Sequence, residues 1–217
     1  MKNIDSKNHL RGESIYLDDI PILAGTLFGV AFDSPVAHGE IKKLDLTAAI
    51  QSEGVVRIFT AKDIPGENQI GGIIPDEPLI ADHEVHFCGM PVAFVVAESD
   101  ELARMAIRKI KVEISPLPVI TDPREAQKKG HLIVQPRTFK IGEPENAFKD
   151  CVHVFEGKAD SNGQEHLYIE TQGAYTLPKE NGAIKIYSST QGPTAVQRAC
   201  SKVLGLPMHM LEVDVTR

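Results

Sequence analysis

The order of apolar runs predicts an α+β fold with mixed sheets, divided into two regions of different character. Gly25 to Phe32 (GTLFGVAF) and Pro91 to Ala97 (PVAFVVA) are short, nearly continuous apolar runs that suit strands buried on both faces. A strongly amphipathic helix follows the second run, and beyond residue 150 strand-like segments outnumber helices.

In chain order, the run at 25–32 comes first. A short helical turn at Thr47 to Gln51 then leads into a strand at Gly54 to Thr60. Ile64 to Asp82 is rich in Gly and Pro and reads as a long irregular loop, of the kind that is functional or mobile. After the strand at 91–97 the helix runs from Asp100 to Ile110. Ser99 can cap it, acidic residues open it, and Arg108 and Lys109 lie near its end, each matching the helix dipole. Leu102, Ala106 and Ile110 recur every four residues as its buried face. A strand at 111–115 completes a strand–helix–strand unit, which predicts a right-handed crossover onto one sheet.

Pro116, Pro118 and Pro123, followed by Lys128-Lys129-Gly130, mark a boundary, and 121–150 reads as a linker without periodicity. The second region predicts strands at Val152 to Ala159, Leu167 to Leu177 and Ala183 to Ser188, a helix from Pro193 to Leu204, and a strand from His209 to Val215. In the last strand Leu211, Val213 and Val215 alternate with Glu212 and Asp214. One helix is little cover for such a sheet, so this layer reads as incomplete.

Composition narrows the function. The net charge is −7 and no basic run exceeds three residues, which makes nucleic acid and anionic membranes poor partners. Aromatics are 6% with no Trp, unsuited to stacking bases. The N-terminus, MKNIDSKNHLRGES, is polar and has no apolar core of a signal peptide, and no run approaches a membrane span. Cys88, Cys151 and Cys200 are far apart and odd in number, against a disulfide framework, a zinc ribbon or an iron–sulfur site. The default compartment is the reduced cytoplasm.

No glycine loop sits between a strand and a helix as phosphate cradles require, and no Ser or Cys occupies a nucleophile elbow. His83 and His86 have metal-compatible spacing but no third ligand nearby in sequence, so solvated loop histidines are expected. Cys88, in HFCGMP, is expected to be a small core residue. The strongest local feature is Ser188-Ser189-Thr190-Gln191-Gly192-Pro193, where a strand gives way to a helix. Pro193 fits the first helical position and Gly205 the position past the end. Gln191 thus offers its amide at a helix N-terminus, a place that attracts oxo anions; a merely solvated helix-entry residue is the alternative. GQEHLYIETQGA, residues 163 to 174, is the second feature. Its polar head could face a ligand cavity, or simply be the entry turn of a strand.

Together these segments resemble the xanthine dehydrogenase and aldehyde oxidase family of molybdenum hydroxylases. RGESIYLDDIP (11–21), SPVAHGEIKKLDL (34–46), EGVVRIFTAKDIPGEN (53–68) and the segment from Val96 into the helix are similar to its small hammerhead domain. The usual E-x-x-PLP ending appears as Glu113 to Pro118. GQEHLYIET and SSTQGPTAVQ resemble the opening of the first molybdenum-cofactor domain. The resemblance therefore implies a hammerhead-like domain at 10–120, a linker at 121–150 and the incomplete start of a molybdopterin-binding domain at 151–217.

In the family, the Gln of the S-T-Q motif lies beside the molybdenum centre; by match this is Gln191, followed by Gly192. The chemistry implied is hydroxylation of a ring carbon next to nitrogen in xanthine- or hypoxanthine-like purines, assisted by a glutamate base. The IPGENQIGG…DEP loop resembles the xanthine dehydrogenase branch more than the aldehyde oxidases. Iron–sulfur clusters and FAD are implied on other subunits or domains, as partners together with the remainder of the molybdenum subunit. The glycine-rich GGGFGGKE loop that carries or adjoins the base is expected beyond Arg217. The resemblance thus assigns no catalytic residue and no metal ligand to this chain, which by itself is expected to bind no molybdenum and to be inactive. Met90 stands where the family usually has Gln or His. The rival expectations are an aldehyde oxidase-type enzyme, a non-catalytic module docking on a partner subunit, and a small-molecule-binding protein using the polar end of the 163–191 sheet.

Overall fold

The computed structural model describes residues 5–216. The first four residues of the polar N-terminus lie outside this range, as does Arg217. The elements run α1 (Ser6–Arg11), β1 (Phe28–Asp33), β2 (Gly39–Asp45), α2 (Thr47–Ile50), β3 (Val55–Phe59), β4 (Glu84–Val85), β5 (Pro91–Ala97), α3 (Asp100–Ile107) and β6 (Lys111–Pro116). There follow α4 (Pro123–Lys129), α5 (Pro144–Lys149), β7 (Ala174–Pro178), β8 (Ile184–Ser188), α6 (Pro193–Leu204) and β9 (Leu211–Val215).

Two three-stranded antiparallel sheets build the first part, in the orders β1-β5-β3 and β4-β2-β6. The PVAFVVA run forms the centre of the first sheet because Val92, Ala93, Val95 and Ala97 are all buried and only the pleat at Phe94 faces out. The Ser99 hydroxyl accepts from Leu102 N (3.2 Å) and starts α3, whose Ala103 and Ala106 press onto β5. Ala49, Ile58 and Ile110 complete this core. A second cluster, Ala81, Val85, Met90 and Val92, lies under the other sheet with Ile41, Leu44, Val112 and Ile114 against it.

The expected crossover onto one sheet is not what forms. β5 is already flanked by β1 and β3 and has no free edge. β6 pairs instead with β2, antiparallel, with Ile41 opposite Ile114 and Leu44 opposite Val112. Its half-buried Val112 and Ile114 thereby reach the second core rather than the first.

The loop after β3 is held by specific hydrogen bonds. Gly66 N donates to Val203 O and Glu67 N to Lys202 O, both at 2.9 Å, so the loop caps the C-terminal carbonyls of α6. Gly66 is required there: a Cβ would lie 2.0 Å from Lys202 O and 2.9 Å from Val203 O. Asn68 then grips Ile80 from both sides, donating to its carbonyl (2.7 Å) and accepting from its amide (3.0 Å).

The third sheet has the order β7-β8-β9, antiparallel then parallel. α6 covers β9, and Gln197 Nε2 locks it there by donating to Met208 O (3.0 Å) and Leu211 O (2.7 Å). Between β8 and β9, Lys185 reaches Asp214 (2.7 Å) and Glu212 (3.2 Å). Asp214 first, then Glu212, hold the Lys185 ammonium well above the ordinary lysine range.

Two expected strands are corrected. Val152 to Ala159 forms no strand, and the 167–177 segment becomes one only from Ala174. Val152, Phe155 and Ile169 are between 86 and 92% exposed, and no described strand offers these stretches a ladder. Chain contacts group Tyr168 onward with the residues up to Val119, and set Ile120–Leu167 apart as a second unit. That unit carries α4 and α5 where a linker without periodicity is expected. Asp122 caps α4 by accepting from Arg124 N (2.7 Å), Pro123 opens it, and Gly130 closes it at φ +78°.

Candidate functional site

The junction between β8 and α6 is where the strongest sequence feature falls. Tyr187 and Ser188 finish the strand, opposite Tyr175 and Ala174 of β7. Ser189 then ties this turn to the TQGA segment: its hydroxyl donates to Thr171 O (2.7 Å) and accepts from Gly173 N (2.8 Å). Thr190 Oγ1 accepts from Gly192 N (3.1 Å), a local turn that satisfies one backbone donor before the helix begins. Gly192 is the N-cap (φ −131°), and its carbonyl accepts from Ala195 N and Val196 N. A Cβ at Gly192 would meet only Ala195 Cβ at 3.4 Å, so neither space nor backbone conformation demands glycine there.

Gln191 is exposed, and its amide makes no hydrogen bond to any described residue. The first turn of α6 contains no acidic side chain, so the partial positive charge of the helix start is not neutralised locally. Thr194 carries the first N–H beyond Pro193, which has none. An uncharged donor beside a helix N-terminus can hydrogen-bond an oxo anion without adding charge or competing as a ligand. The structure thus sets Gln191 and Gly192 side by side at the strand–helix junction, as the sequence predicts.

Four residues near this junction have roles that the sequence reading does not assign. Ser189 and Thr190 act through their backbone contacts; their signal is the Ser-Thr pair directly before a helix start. Glu170, inside GQEHLYIET, accepts from Leu17 N (2.6 Å), Asp18 N (3.3 Å) and Thr216 Oγ1 (3.2 Å). Tyr175 similarly places its hydroxyl near Leu23 N (3.2 Å) and Thr26 Oγ1 (3.3 Å). The segment from Leu17 to Thr26 is thereby laced onto the third sheet, across some 150 residues of sequence that no local pattern spans.

Elsewhere, Cys88 is corrected: it is exposed, not a core residue. It sits at a turn closed by Met90 N on Phe87 O (3.3 Å), with Gly89 at φ +94°, and the tight geometry turns the thiol outward. The buried place falls to Met90, only 1% exposed, whose sulfur accepts from His86 N (3.4 Å). His83 behaves as a solvated histidine against Asp82 (2.9 Å). His86 does not; it approaches Glu84 and His38.

Comparison with known proteins decides the family. The description "Aldehyde oxidase and xanthine dehydrogenase, a/b hammerhead domain" matches residues 11–118, and "Molybdopterin cofactor-binding domain" matches residues 125–217. The chain belongs to the aldehyde oxidase and xanthine dehydrogenase family. Its α+β architecture is a hammerhead domain followed by the start of a molybdopterin-binding domain. Among curated relatives, xanthine dehydrogenase 1 of Arabidopsis thaliana is 38% identical over 220 residues, covering 99% of this chain and 16% of that protein. Xanthine dehydrogenase of Emericella nidulans is 36% identical over 209 residues (95% and 15%). Aldehyde oxidase 2 of Cavia porcellus is 34% identical over 217 residues (99% and 16%). The chain thus spans about a sixth of the length of these relatives. In solved structures, the aldehyde oxidoreductase from Desulfovibrio gigas superposes with a TM-score of 0.85 at 25% identity, over 98% of this chain and 26% of that one. No helix among the described residues is long and apolar enough to cross a membrane.

Proposed function

We propose that the protein to which this chain belongs is a molybdenum hydroxylase acting on xanthine- or hypoxanthine-like purines, and that this chain supplies the hammerhead domain and the Gln191 side of the cofactor site. One observation carries the reading: an exposed, unpartnered amide at the mouth of α6, within the stretch that matches the molybdopterin cofactor-binding domain. The residues present fit such a group. Gln191 can donate to an oxygen of the cofactor, and Gly192 starts the helix beside it with no carboxylate in the first turn to repel an anion. When bound, the molybdenum cofactor supplies oxidative hydroxylation of a carbon next to nitrogen. Ser189 and Thr190 hold the backbone turn that carries Gln191. Electrons would leave to iron–sulfur and FAD subunits or domains, and the reduced cytoplasm would be the compartment.

Purines are favoured by the loop at Ile64 to Asp82, which resembles the xanthine dehydrogenase branch, and by the xanthine dehydrogenase relatives. The similarity to an aldehyde oxidase favours, as a second reading, an aldehyde oxidase-type enzyme. The test is Gln191→Ala in the complete enzyme. Losing one hydrogen bond to a charged oxygen is expected to cost about 1.5–3 kcal/mol, roughly a tenfold to hundredfold fall in kcat/KM, with molybdenum content retained. An unchanged kcat/KM for xanthine and for aromatic aldehydes alike would sink the assignment. A preference for aldehydes over xanthine would select the second reading.

A further inference from the structure

We propose that His38, Glu84 and His86 form a binding site for a divalent transition-metal ion of the zinc type, on the hammerhead domain and separate from the Gln191 junction. Sequence spacing alone gives only His83 and His86; the missing ligand comes from the start of β2, more than forty residues away. One ligand atom from each of His38, Glu84 and His86 lies within 4.8 Å of the others.

The atoms are assigned by hydrogen bonding. His38 Nδ1 lies 2.8 Å from Pro118 O, and a carbonyl can only accept, so Nδ1 carries a proton and Nε2 is the ring nitrogen turned toward Glu84. That Nε2 faces Glu84 Oε1 at 2.8 Å, and His86 Nδ1 lies 3.6 Å from the same oxygen. Zinc bonds to nitrogen and oxygen of about 2.0–2.2 Å give tetrahedral ligand–ligand edges of about 3.4 Å. The two observed separations straddle that edge. A neutral imidazole nitrogen and a carboxylate oxygen both offer lone pairs, so a cation must sit between them, a proton or a metal.

The backbone holding these groups is paired into the second sheet. Gly39 pairs with Val85 across β2 and β4 and with Pro116 across β2 and β6. A Cβ on Gly39 would strike Ile114 Cγ2 at 2.5 Å and Ser115 O at 2.8 Å, so β2 and β6 approach closely beside His38. Val85, between Glu84 and His86, is fully buried, and His86 N is anchored on Met90. Two imidazoles select a zinc-, nickel- or copper-type ion over magnesium or calcium, which want all-oxygen shells. His86 is half exposed, so the fourth position opens to water.

Titration of zinc chloride into the untagged 217-residue chain, read by calorimetry, tests this. The expected result is about one zinc per chain, with His86→Ala and Glu84→Gln each weakening binding by about tenfold or more. His83→Ala, on an exposed neighbour outside the cluster, leaves the affinity unchanged. His86 and His83 are both exposed enough for truncation to leave the fold intact, which circular dichroism checks. Absence of zinc uptake by the parent chain overturns the proposal, since the cation is then a proton only. Equal affinity in His86→Ala and the parent chain overturns it as well, because the ion then lies elsewhere.

Discussion

Replacing Gly66 with alanine should detach the loop after β3 from the end of α6, and the structure sets the size of the effect. The new methyl would lie 2.0 Å from Lys202 O, 2.7 Å from Gly205 N and 2.9 Å from Val203 O, all backbone atoms that cannot rotate away. Relief requires the loop to withdraw, which breaks the bonds from Gly66 N and Glu67 N to Val203 O and Lys202 O. At about 0.5–1.5 kcal/mol net per bond, the loss is about 2 kcal/mol. It should not be much larger, because both carbonyls lie at a helix end and can turn to water once the loop leaves. Urea unfolding of the chain measures the total, and hydrogen exchange locates it: the Gly66 and Glu67 amides should lose protection while Ala103 and Val95 in the main core keep theirs. Gly72→Ala is the control, because a Cβ there meets nothing within 4 Å. If Gly66→Ala lowers stability no more than Gly72→Ala, the cap does not hold the loop and the reasoning fails.

Two further outcomes follow from the same geometry. Met90→Ala empties one of the largest fully buried side-chain positions, and thermal or urea unfolding should show a loss of about 2–5 kcal/mol; a change below 1 kcal/mol would mean the second core does not depend on it. Asp63 accepts from Thr60 N (2.8 Å), from the Thr60 hydroxyl and from Arg57, which together hold its carboxyl below the ordinary 3.8. A depressed folded pKa means its stabilisation is complete above pH 3.8 and is lost as pH falls through the folded value. Asp63→Asn should therefore lower the urea midpoint at pH 6, with the gap to the parent chain closing below pH 3.8; a gap that widens on acidification would contradict the assigned bonds.

Local physics made much of this protein legible from its sequence. Ser99 with Leu102 and Ala106 fixes the start and face of α3, which ends at Ile107 and leaves the expected Ile110 beyond it, because a cap and an apolar stripe are properties of a few consecutive residues. Pro193 and Gly205 bracket α6 for the same reason, which is why Gln191 and Gly192 could be placed at its mouth without coordinates. Pairing is different, since a strand does not carry the identity of its neighbour. PVAFVVA announces a buried strand, but only the full set of strands shows that β5 is already flanked, so that β6 must go to β2. The stretch from Val152 to Ala159 has strand composition, and without a partner among the described strands it forms no strand and stays exposed. Contacts between residues far apart in the chain were decided by the tertiary structure alone: Glu170 on Leu17, Gly66 on Val203, and His38 beside Glu84 and His86. In each, a polar atom finds its partner only after the sheets have fixed two distant backbones at hydrogen-bond distance, and no pattern of neighbouring residues encodes that distance.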